Sequence, residues 1–303
     1  MKVAMKKFVL LFVLVPVALA QSTTPDYLQQ ANQFRTQRAK GLTAPEGWFS
    51  LVALHWLKPG DTTVGSAVGN ALHLDHVPGH LATFRLANNT VTLVAPAGGF
   101  PAGTTLDGKP ATATTLSYDG DHPSEIRNGG VLIIVIKRSD RLYLRVKDAQ
   151  APTRTGFHGL NWYAPDQHYV VTAKWTPYDP PRPLTVPNII GLTETDPSPG
   201  VAEFTLNGQT LRLQPVIEDP EAKQLFFMLR DTTSKTTTYG AGRFLYTQYP
   251  SNGLDKPGTV VLDFNRTQNP PCAYTAFATC PLPPQQNRLN IAIPAGEKRY
   301  REE

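Results

Sequence analysis

Short apolar runs separated by turn residues fill most of the chain, and this alternation limits the possible folds more than any other feature. The runs have the length and the β-branched or aromatic content of strands. Turn-forming Pro and Gly account for 28 and 23 of the 303 residues. The runs cover residues 91–95, 131–137, 141–147, 169–175, 201–206, 209–213, 225–230, 260–264 and 289–293. The pattern predicts a mostly β fold, because an α/β protein would need helices between successive strands.

Local signals refine this β pattern. Asn207-Gly208 and Ser139-Asp140 each separate two strand runs and predict tight hairpins. The runs Leu132–Ile136 and Leu225–Leu229 are apolar at consecutive positions, which predicts strands that are covered on both faces and central in their sheets. Pro177–Pro187 is rich in turn residues and is predicted to be a linker or a long crossing loop.

One amphipathic helix is predicted before the strands. Thr24 suits the N-cap, Pro25 suits the first helical position, and Gly41 suits the end. Apolar residues recur between them at helical spacing, at Leu28, Ala31 and Phe34.

The first twenty residues have the pattern of a secretory signal peptide. Three lysines precede the apolar run Phe8–Leu14, and Ala18-Leu19-Ala20 forms a small-x-small cleavage site. The run is too short to span a bilayer, so we expect a periplasmic or extracellular protein with no stable membrane insertion after signal removal. Losing three lysines lowers the formal charge from +5 to +2, which gives no reason to expect nucleic acid as a partner.

These signals divide the chain into four expected segments. They are a signal peptide over residues 1–20, an N-terminal helix within 21–45, a β-sandwich-like domain over 46–150 and a β-rich domain over 151–303. The last is expected to be an antiparallel sheet or a partly closed barrel.

The densest polar motif lies between Asp263 and Arg288. Prolines there fix φ beside Cys272 and Cys280, while Asp, Asn and Arg residues crowd the same stretch. The composition favours a rigid polar surface, either a site or its frame. In an exported chain the two cysteines are predicted to form a disulfide, whose short loop contributes about 2.5 kcal/mol of stability.

Several segments together are similar to a bacterial domain-of-unknown-function family. They are GRFLY (242–246), DFNR (263–266), NPPCAYT (269–275), ATCPLPP (278–284), NRL (287–289) and AGEK (295–298). Trp48–Gly65 also resembles the opening of that family, so the resemblance covers Trp48–Lys298. It implies a shared fold and brings no accepted activity.

The N-terminal half is similar in segment order to a forkhead-associated β-sandwich. The matching segments are Leu57–Ser66, Asn70–Leu74, His80–Phe84, Val91–Leu93, Leu106–Lys109 and Val131–Ile133. That family reads phosphothreonine with an Arg and a Ser, but the matching positions here hold Ser66 and Val77. The resemblance therefore implies a sandwich topology without phosphopeptide binding.

The polar block supplies the candidate binding residues for a small polar or anionic ligand. Arg243 and Arg266 present guanidinium forks that suit a carboxylate or a phosphate, and Gly240-Ala241-Gly242 allows close approach of the backbone. The alternative is a buried network in which Arg243 pairs with Asp263 or Asp231. The further candidate ligand-binding residues are Tyr239, Asn265, Asn269, Thr275 and Asn287.

The sequence leaves catalysis open. If binding leads to reaction, Asp263 is the preferred general acid or base and Arg266 the preferred charge stabiliser. Cys272 could act as a nucleophile with His158 or His168, but that needs a free thiolate, which export disfavours. No motif identifies a cofactor, and the glycines at 240 and 242 lack the third glycine of a dinucleotide fingerprint.

A cluster of histidines is the weaker candidate site. His73, Asp75, His76 and His80 offer metal-binding side chains without a recognised metal motif. We interpret them as exposed residues and predict no metal site.

A protein-interaction module is the competing hypothesis. A sheet edge or face of an exported module could bind another protein without catalysis. A cavity lined by Arg243 and Asn265 would favour the ligand hypothesis, whereas a flat apolar patch would favour a protein partner. The candidate residues for such a patch are Trp48, Trp56 and Trp162.

Overall fold

In a computed structural model, residues 23–118, 122–138 and 140–300 are described. The predicted signal peptide and Ser139 of one predicted hairpin lie outside these residues. The helices are α1 (Pro25–Leu42) and α2 (Pro152–Thr155). The strands are β1 (Leu51–Trp56), β2 (Gly60–Gly65), β3 (Leu72–His73), β4 (Ala82–Ala87), β5 (Thr90–Val94), β6 (Thr105–Leu106), β7 (Lys109–Pro110), β8 (Thr114–Thr115), β9 (Glu125–Asn128), β10 (Val131–Arg138), β11 (Arg141–Asp148), β12 (Val170–Pro187), β13 (Thr193–Leu206), β14 (Gln209–Leu213), β15 (Gln224–Leu229), β16 (Arg243–Gln248) and β17 (Gly258–Asp263).

The predicted mostly β fold with one N-terminal helix is confirmed. Of the two described helices, only α1 is longer than four residues. In the described residues the sheet orders are β1-β11-β10-β9-β6-β7, β3-β2-β4-β5-β8, β14-β13-β12-β17 and β15-β16. Neighbouring strands are antiparallel except β2 and β3, which are parallel. None of these sheets closes, so the C-terminal strands form open sheets rather than a barrel.

The first core lies between the two N-terminal sheets. Val64, Phe84 and Leu93 enter it from the five-stranded sheet, and Val135 and Leu144 enter it from the six-stranded sheet. All five side chains are fully buried. Two sheets that face each other across one core give the sandwich-like unit that the sequence predicts.

The second core lies between the four-stranded sheet and the β15–β16 pair. Trp175, Phe204 and Leu262 come from the larger sheet, and Phe227 and Leu245 come from the pair. The Asn207-Gly208 hairpin between β13 and β14 is confirmed, and both residues have positive φ, 50° and 76°. Two successive positive φ values are what a type I′ turn requires.

Strand β15 is covered on both faces, as its apolar run predicts. Leu225, Phe227 and Leu229 belong to the second core, while Phe226 and Met228 pack in a separate cluster on the other side. The strand is nevertheless one of only two in its sheet, so the prediction of a central position is wrong for it. Irregular C-terminal segments, rather than further strands, supply part of its cover.

Helix α1 begins where the sequence predicts and ends one residue later. The Thr24 hydroxyl accepts a hydrogen bond from the main-chain N of Tyr27 at 3.4 Å, and Pro25 occupies the first turn. The helix continues through Gly41 to Leu42. No helix within the described ranges has both the length and the hydrophobicity to cross a membrane.

Polar side chains attach α1 to the C-terminal half. The bonds run from Tyr27 Oη to Asp263 Oδ1 at 2.7 Å, from Arg35 Nη2 to Tyr163 O at 2.6 Å, and from Arg38 Nη2 to Asn269 O at 2.7 Å and to Tyr274 Oη at 3.4 Å. Helix α1 therefore brings Tyr27 and Arg38 to the polar block.

The Pro-rich segment 177–187 belongs to a strand, so the predicted loop is wrong. Strand β12 pairs with β13 on both sides of a register shift between Pro177 and Arg182. Strand β17 pairs only with residues 170–175 of β12. The Pro-rich half of β12 thus pairs with a strand on one side only. Proline has no N–H group to donate, so it is tolerated at a strand edge that forms no ladder hydrogen bonds.

Gly242 occupies a tightly packed position. Its φ is +111°, and an added Cβ would overlap Pro283 Cγ and lie 2.8 Å from Leu229 O. At Gly240 the nearest atom to an added Cβ is Ser234 O at 3.7 Å. Protein atoms, rather than a ligand, therefore fill the space that the missing side chain leaves at Gly242.

Substitution of Gly242 by alanine should destabilise the protein. We expect Gly242→Ala to lower the free energy of unfolding by about 2 kcal/mol or more, because backbone strain and overpacking each have costs of that order. Gly240→Ala, two residues away, should change it by less than about 0.5 kcal/mol. Urea unfolding followed by tryptophan fluorescence measures both, and equal effects would contradict the described packing against Pro283.

Candidate functional site

Arg243 lies in a buried hydrogen-bond network. It is 1% exposed, and its Nη2 donates to Asp231 Oδ2 at 2.9 Å and to Ile293 O at 3.0 Å. Its Nη1 donates to Ala295 O. Asp231 is thus the partner, as in the network alternative weighed from the sequence, and Arg243 lines none of the cavities described below. A ligand role for Arg243 stays a prediction.

Asp263 and Arg266 join helix α1 to the block. Asp263 Oδ1 accepts from Tyr27 Oη and from the main-chain N of Asn265, and Arg266 Nε lies 3.1 Å from Asp263 Oδ2. The Arg266 guanidinium sits 5.6 Å from the centre of the Phe34 ring. Burial and the bond to Asp263 raise the pKa of the Tyr27 hydroxyl. Both residues border an open groove of about 600 Å³, and their catalytic role stays a prediction.

The other predicted ligand-binding residues, apart from Asn269, cross-link loops. The bonds are Asn265 Nδ2 to Asp166 O at 2.8 Å, Asn287 Nδ2 to Gln214 O at 2.8 Å and to Met228 O at 2.9 Å, Thr275 Oγ1 to Leu51 O at 3.4 Å, and Tyr239 Oη to Cys272 O at 3.1 Å. Asn265 and Asn287 are 2% and 0% exposed. These contacts hold segments that lack regular strand pairing.

Asn269 differs from its neighbours because one of its polar atoms is unused. Its main-chain N and its Nδ2 each donate to Glu297 at 3.0 Å, and Nδ2 also reaches Lys298 O at 2.8 Å. These two acceptors fix which end of the amide is nitrogen. The buried Oδ1 has no hydrogen-bond partner among the described residues.

Cys272 and Cys280 are free thiols in contact. The main-chain N of Cys272 donates to Cys280 Sγ at 3.1 Å. The hydrogen bond between the two thiols lowers the pKa of Cys272 and raises the pKa of Cys280, which burial raises further. The sulfurs are therefore placed close together, and the disulfide stays a prediction.

A cavity of about 360 Å³ lies where the sandwich-like unit, helix α1 and the polar block meet. We call it the arginine chamber and define it by Arg38, Trp48, Arg138, Arg145, Tyr246 and Asn269, which all line it. Strand β11 alternates, with Leu142, Leu144 and Val146 facing the first core. Arg145 consequently projects from the opposite face of the sheet, into the chamber.

The Arg145 guanidinium lacks an anionic partner. Its Nε is buried without a hydrogen-bond acceptor, and no carboxylate of the described residues pairs with it. Burial lowers the pKa of Arg145 to about 10, and the positive charge of Arg138 acts in the same direction. The guanidinium carbon sits 5.5 Å from the centre of the Trp48 ring, a cation–π contact.

The other two arginines keep free hydrogen-bonding capacity. Arg138 donates from Nε to Thr279 Oγ1 at 3.0 Å and from Nη1 to Lys137 O at 2.8 Å, both neutral acceptors. Arg38 Nε lies 3.8 Å from Glu297 Oε2, too far for a hydrogen bond, and is buried without another acceptor. Three arginines thus line one cavity, where Glu297 is 3.8 Å from Arg38 and Glu218 belongs to the lining.

A second cavity of about 290 Å³ adjoins the chamber and has the opposite character. Glu194, Asp196 and Glu218 line it, and it shares Arg138, Glu218, Thr279 and Pro281 with the arginine chamber. Glu218 is exposed and accepts a hydrogen bond from Tyr246 Oη at 2.9 Å. The combined cleft therefore has a basic end and an acidic end.

The histidine cluster is divided between two partners. His73 Nε2 lies 3.1 Å from Asp75 Oδ1, whereas His76 Nδ1 contacts Asp148 Oδ2 and has its pKa raised by that bond. Within residues 23–118, 122–138 and 140–300, no group of three or more His, Cys, Asp or Glu side chains is placed to hold a metal ion.

The three tryptophans proposed for an apolar patch lie in separate places. Trp48 lines the arginine chamber, and Trp162 packs edge-on against Phe34. Trp56 is 44% exposed, with Arg141 and Lys58 cations over its ring. Their positions do not combine into one flat surface.

Sequence reasoning missed Arg38, Arg138 and Arg145 as site residues. Arg38 lies within the predicted helix and Arg145 within a predicted strand, and Arg138 directly follows a strand run, so none of the three is distinctive in the sequence. A signal was nevertheless present in β11, where Arg141, Arg145 and Lys147 alternate with core residues on one face. A sheet face with several cations suggests an anion site.

Comparison with known proteins places the chain by family. A family profile described as "Protein of unknown function (DUF1684)" matches residues 155–298. This confirms the predicted resemblance, although the profile begins well after Trp48. No curated protein matches the chain.

Two solved structures are similar to parts of it. An uncharacterized protein of Haloarcula marismortui is 30% identical over 48% of this chain and 79% of its own, with a TM-score of 0.40. The FhaA FHA domain, solved in complex with the intracellular domain of Rv3910, is 17% identical over 31% of this chain and 97% of its own, with a TM-score of 0.22. Neither likeness assigns a ligand.

Removal of the Arg243 guanidinium should strongly destabilise the fold. Arg243→Met leaves Asp231 buried without its cation, and breaking such a pair lowers the free energy of unfolding by about 3–5 kcal/mol. The exposed pair Arg212–Glu203 provides the control, because Arg212→Met should change it by less than about 1 kcal/mol. Chemical unfolding of both variants tests this, and similar losses would show that the buried network does not hold the C-terminal segment.

Proposed function

We propose from geometry that this protein, whose residues 155–298 match the DUF1684 family of unknown function, binds a small anionic molecule in the arginine chamber. The observation that carries this proposal is the unpaired guanidinium of Arg145. The predicted small polar or anionic ligand is retained, while its place moves from the interior of the polar block to the boundary with the sandwich-like unit.

A partly buried charge without a partner is unfavourable in the absence of a ligand. A guanidinium that is partly removed from water loses solvation that an anion or several acceptors can replace. Burial lowers the pKa of Arg145, and repulsion between Arg145 and Arg138 lowers it further. A carboxylate or phosphate in the chamber would accept the free N–H groups and cancel the repulsion.

The size and the walls of the chamber suit a small molecule. A volume of about 360 Å³ lies within the range of small-molecule sites. Trp48, Phe244 and Tyr246 contribute aromatic surface beside the arginines. This combination of apolar wall and few charged groups is typical of ligand pockets and fits an anionic group attached to an apolar body.

We also propose that the protein is exported and that Cys272 and Cys280 form a disulfide after export. The signal-peptide pattern supports the first step, and the contact of Cys272 N with Cys280 Sγ supports the second. Cys280 lines the arginine chamber, so the bridge would fix one part of its wall.

Loss of Arg145 should abolish anion binding without harming the apo protein. In Arg145→Met, a long apolar side chain replaces an unpaired charge, so the melting temperature without ligand should stay the same or rise. The increase in melting temperature that phosphate, sulfate or small carboxylates cause in the wild type should disappear, with affinity falling at least about tenfold. The control is Arg141→Met on the exposed part of the same strand. The proposal fails if Arg145→Met binds these anions as the wild type does.

The disulfide can be tested by counting thiols. The protein purified from the periplasm or medium, then denatured without reductant, should show no free thiol, whereas reductant should release two. Because the loop is short, the bridge should raise the free energy of unfolding by about 2.5 kcal/mol. Two free thiols before reduction would refute the disulfide and leave the anion-binding proposal intact.

A further inference from the structure

Three residues that line the arginine chamber each have a buried polar atom without a hydrogen-bond partner. Arg145 Nε and Arg38 Nε are buried donors without an acceptor, and Asn269 Oδ1 is a buried acceptor without a donor. Asn269 is fully buried and lines the same cavity as the two arginines.

The chamber is also lined by a carboxylate, that of Glu218. Glu218 lines the arginine chamber and also the adjoining acidic cavity. Its contact is a neutral hydroxyl, Tyr246 Oη, and none of the salt bridges among the described residues neutralises it. A dianionic ligand would face repulsion from Glu218, whereas a ligand that also carries a cation would be attracted to it.

From these groups we infer that the ligand is a zwitterion of the α-amino acid class, an inference that rests on the proposed anion-binding function. Its carboxylate lies against Arg145 and Arg138. Its ammonium faces Glu218, which lines the same chamber. An amino acid supplies both groups on neighbouring atoms, so one small molecule can face the arginines and Glu218 in a single cavity.

The surrounding surfaces provide room for a side chain. Trp48 and Phe244 form an apolar wall of the chamber. The adjoining cavity adds about 290 Å³, with Val216, Phe226 and Met228 in its lining and Glu194 and Asp196 nearby. This space extends from the inferred ammonium position and would accept a long side chain or a second residue of a dipeptide.

The test compares amino acids with their des-amino analogues. The wild-type protein is first screened by thermal melting against the twenty common L-amino acids and glycylglycine. The best binder and its des-amino carboxylate, for example L-leucine with 4-methylpentanoate or L-phenylalanine with 3-phenylpropanoate, are then titrated by calorimetry. We expect the amino acid to bind at least tenfold more tightly than its analogue.

Glu218→Gln separates recognition of the ammonium from general effects on the cleft. The substitution keeps an acceptor for Tyr246 and removes only the charge of an exposed side chain, so the fold should be unaffected. It should weaken amino acid binding several-fold and leave the des-amino carboxylate unchanged. Glu221→Gln, on the same exposed loop and outside both cavities, should change neither affinity.

The outcomes distinguish this inference from the function on which it rests. Equal affinity for an amino acid and its des-amino analogue, with no effect of Glu218→Gln, would overturn the zwitterion and keep anion binding. If inorganic phosphate binds in a manner that depends on Arg145 and no amino acid binds, the zwitterion is likewise overturned and anion binding is kept. If no anion and no amino acid binds the wild type, both the inference and the proposed function fail.

Discussion

The buried ion pair between Arg243 and Asp231 holds the part of the structure on which the candidate site depends. Arg243 also donates to the carbonyls of Ile293 and Ala295, and Asp231 accepts from the main-chain N of Ile293. These bonds replace strand pairing in a segment that has none. Glu297 lies two residues after Ala295, and its carboxylate accepts hydrogen bonds from the main-chain N and the Nδ2 of Asn269. The Arg243–Asp231 pair thus holds the segment that binds Asn269 in the chamber wall, although neither Arg243 nor Asp231 lines the chamber.

Arginines with the same chemistry serve two purposes in this protein. Arg243 is buried and donates hydrogen bonds to Asp231, Ile293 O and Ala295 O, so its charge stabilises the fold. Arg145 packs against Trp48 and has no carboxylate partner, so no ion pair stabilises its charge. Natural proteins violate local rules of polar satisfaction mainly at functional sites. The contrast between the two side chains is therefore stronger evidence for binding than the number of arginines.

The sequence predicts what is local and misses what depends on distant contacts. Helix α1 and the Asn207-Gly208 hairpin follow from caps and turn chemistry, and the double burial of β15 follows from its apolar run. The strand at 177–187 was missed because proline tolerance depends on which side of a strand lacks a partner. Whether Arg243 or Arg145 forms an ion pair with a carboxylate likewise depends on the three-dimensional packing. The composition of the polar block therefore indicated Arg243, whose charge is already paired with Asp231.

An unsatisfied chamber also links ligand binding to stability. The apo protein keeps Arg145 and Arg138 close together without a counter-charge, and this repulsion is present only in the folded state. A ligand that removes it stabilises the folded state by its own binding free energy, as required by linkage. Replacing Arg145 with an apolar residue removes the repulsion permanently and the ligand response with it. Under the proposed function, a guanidinium at this position therefore lowers the stability of the apo protein and increases its response to an anion.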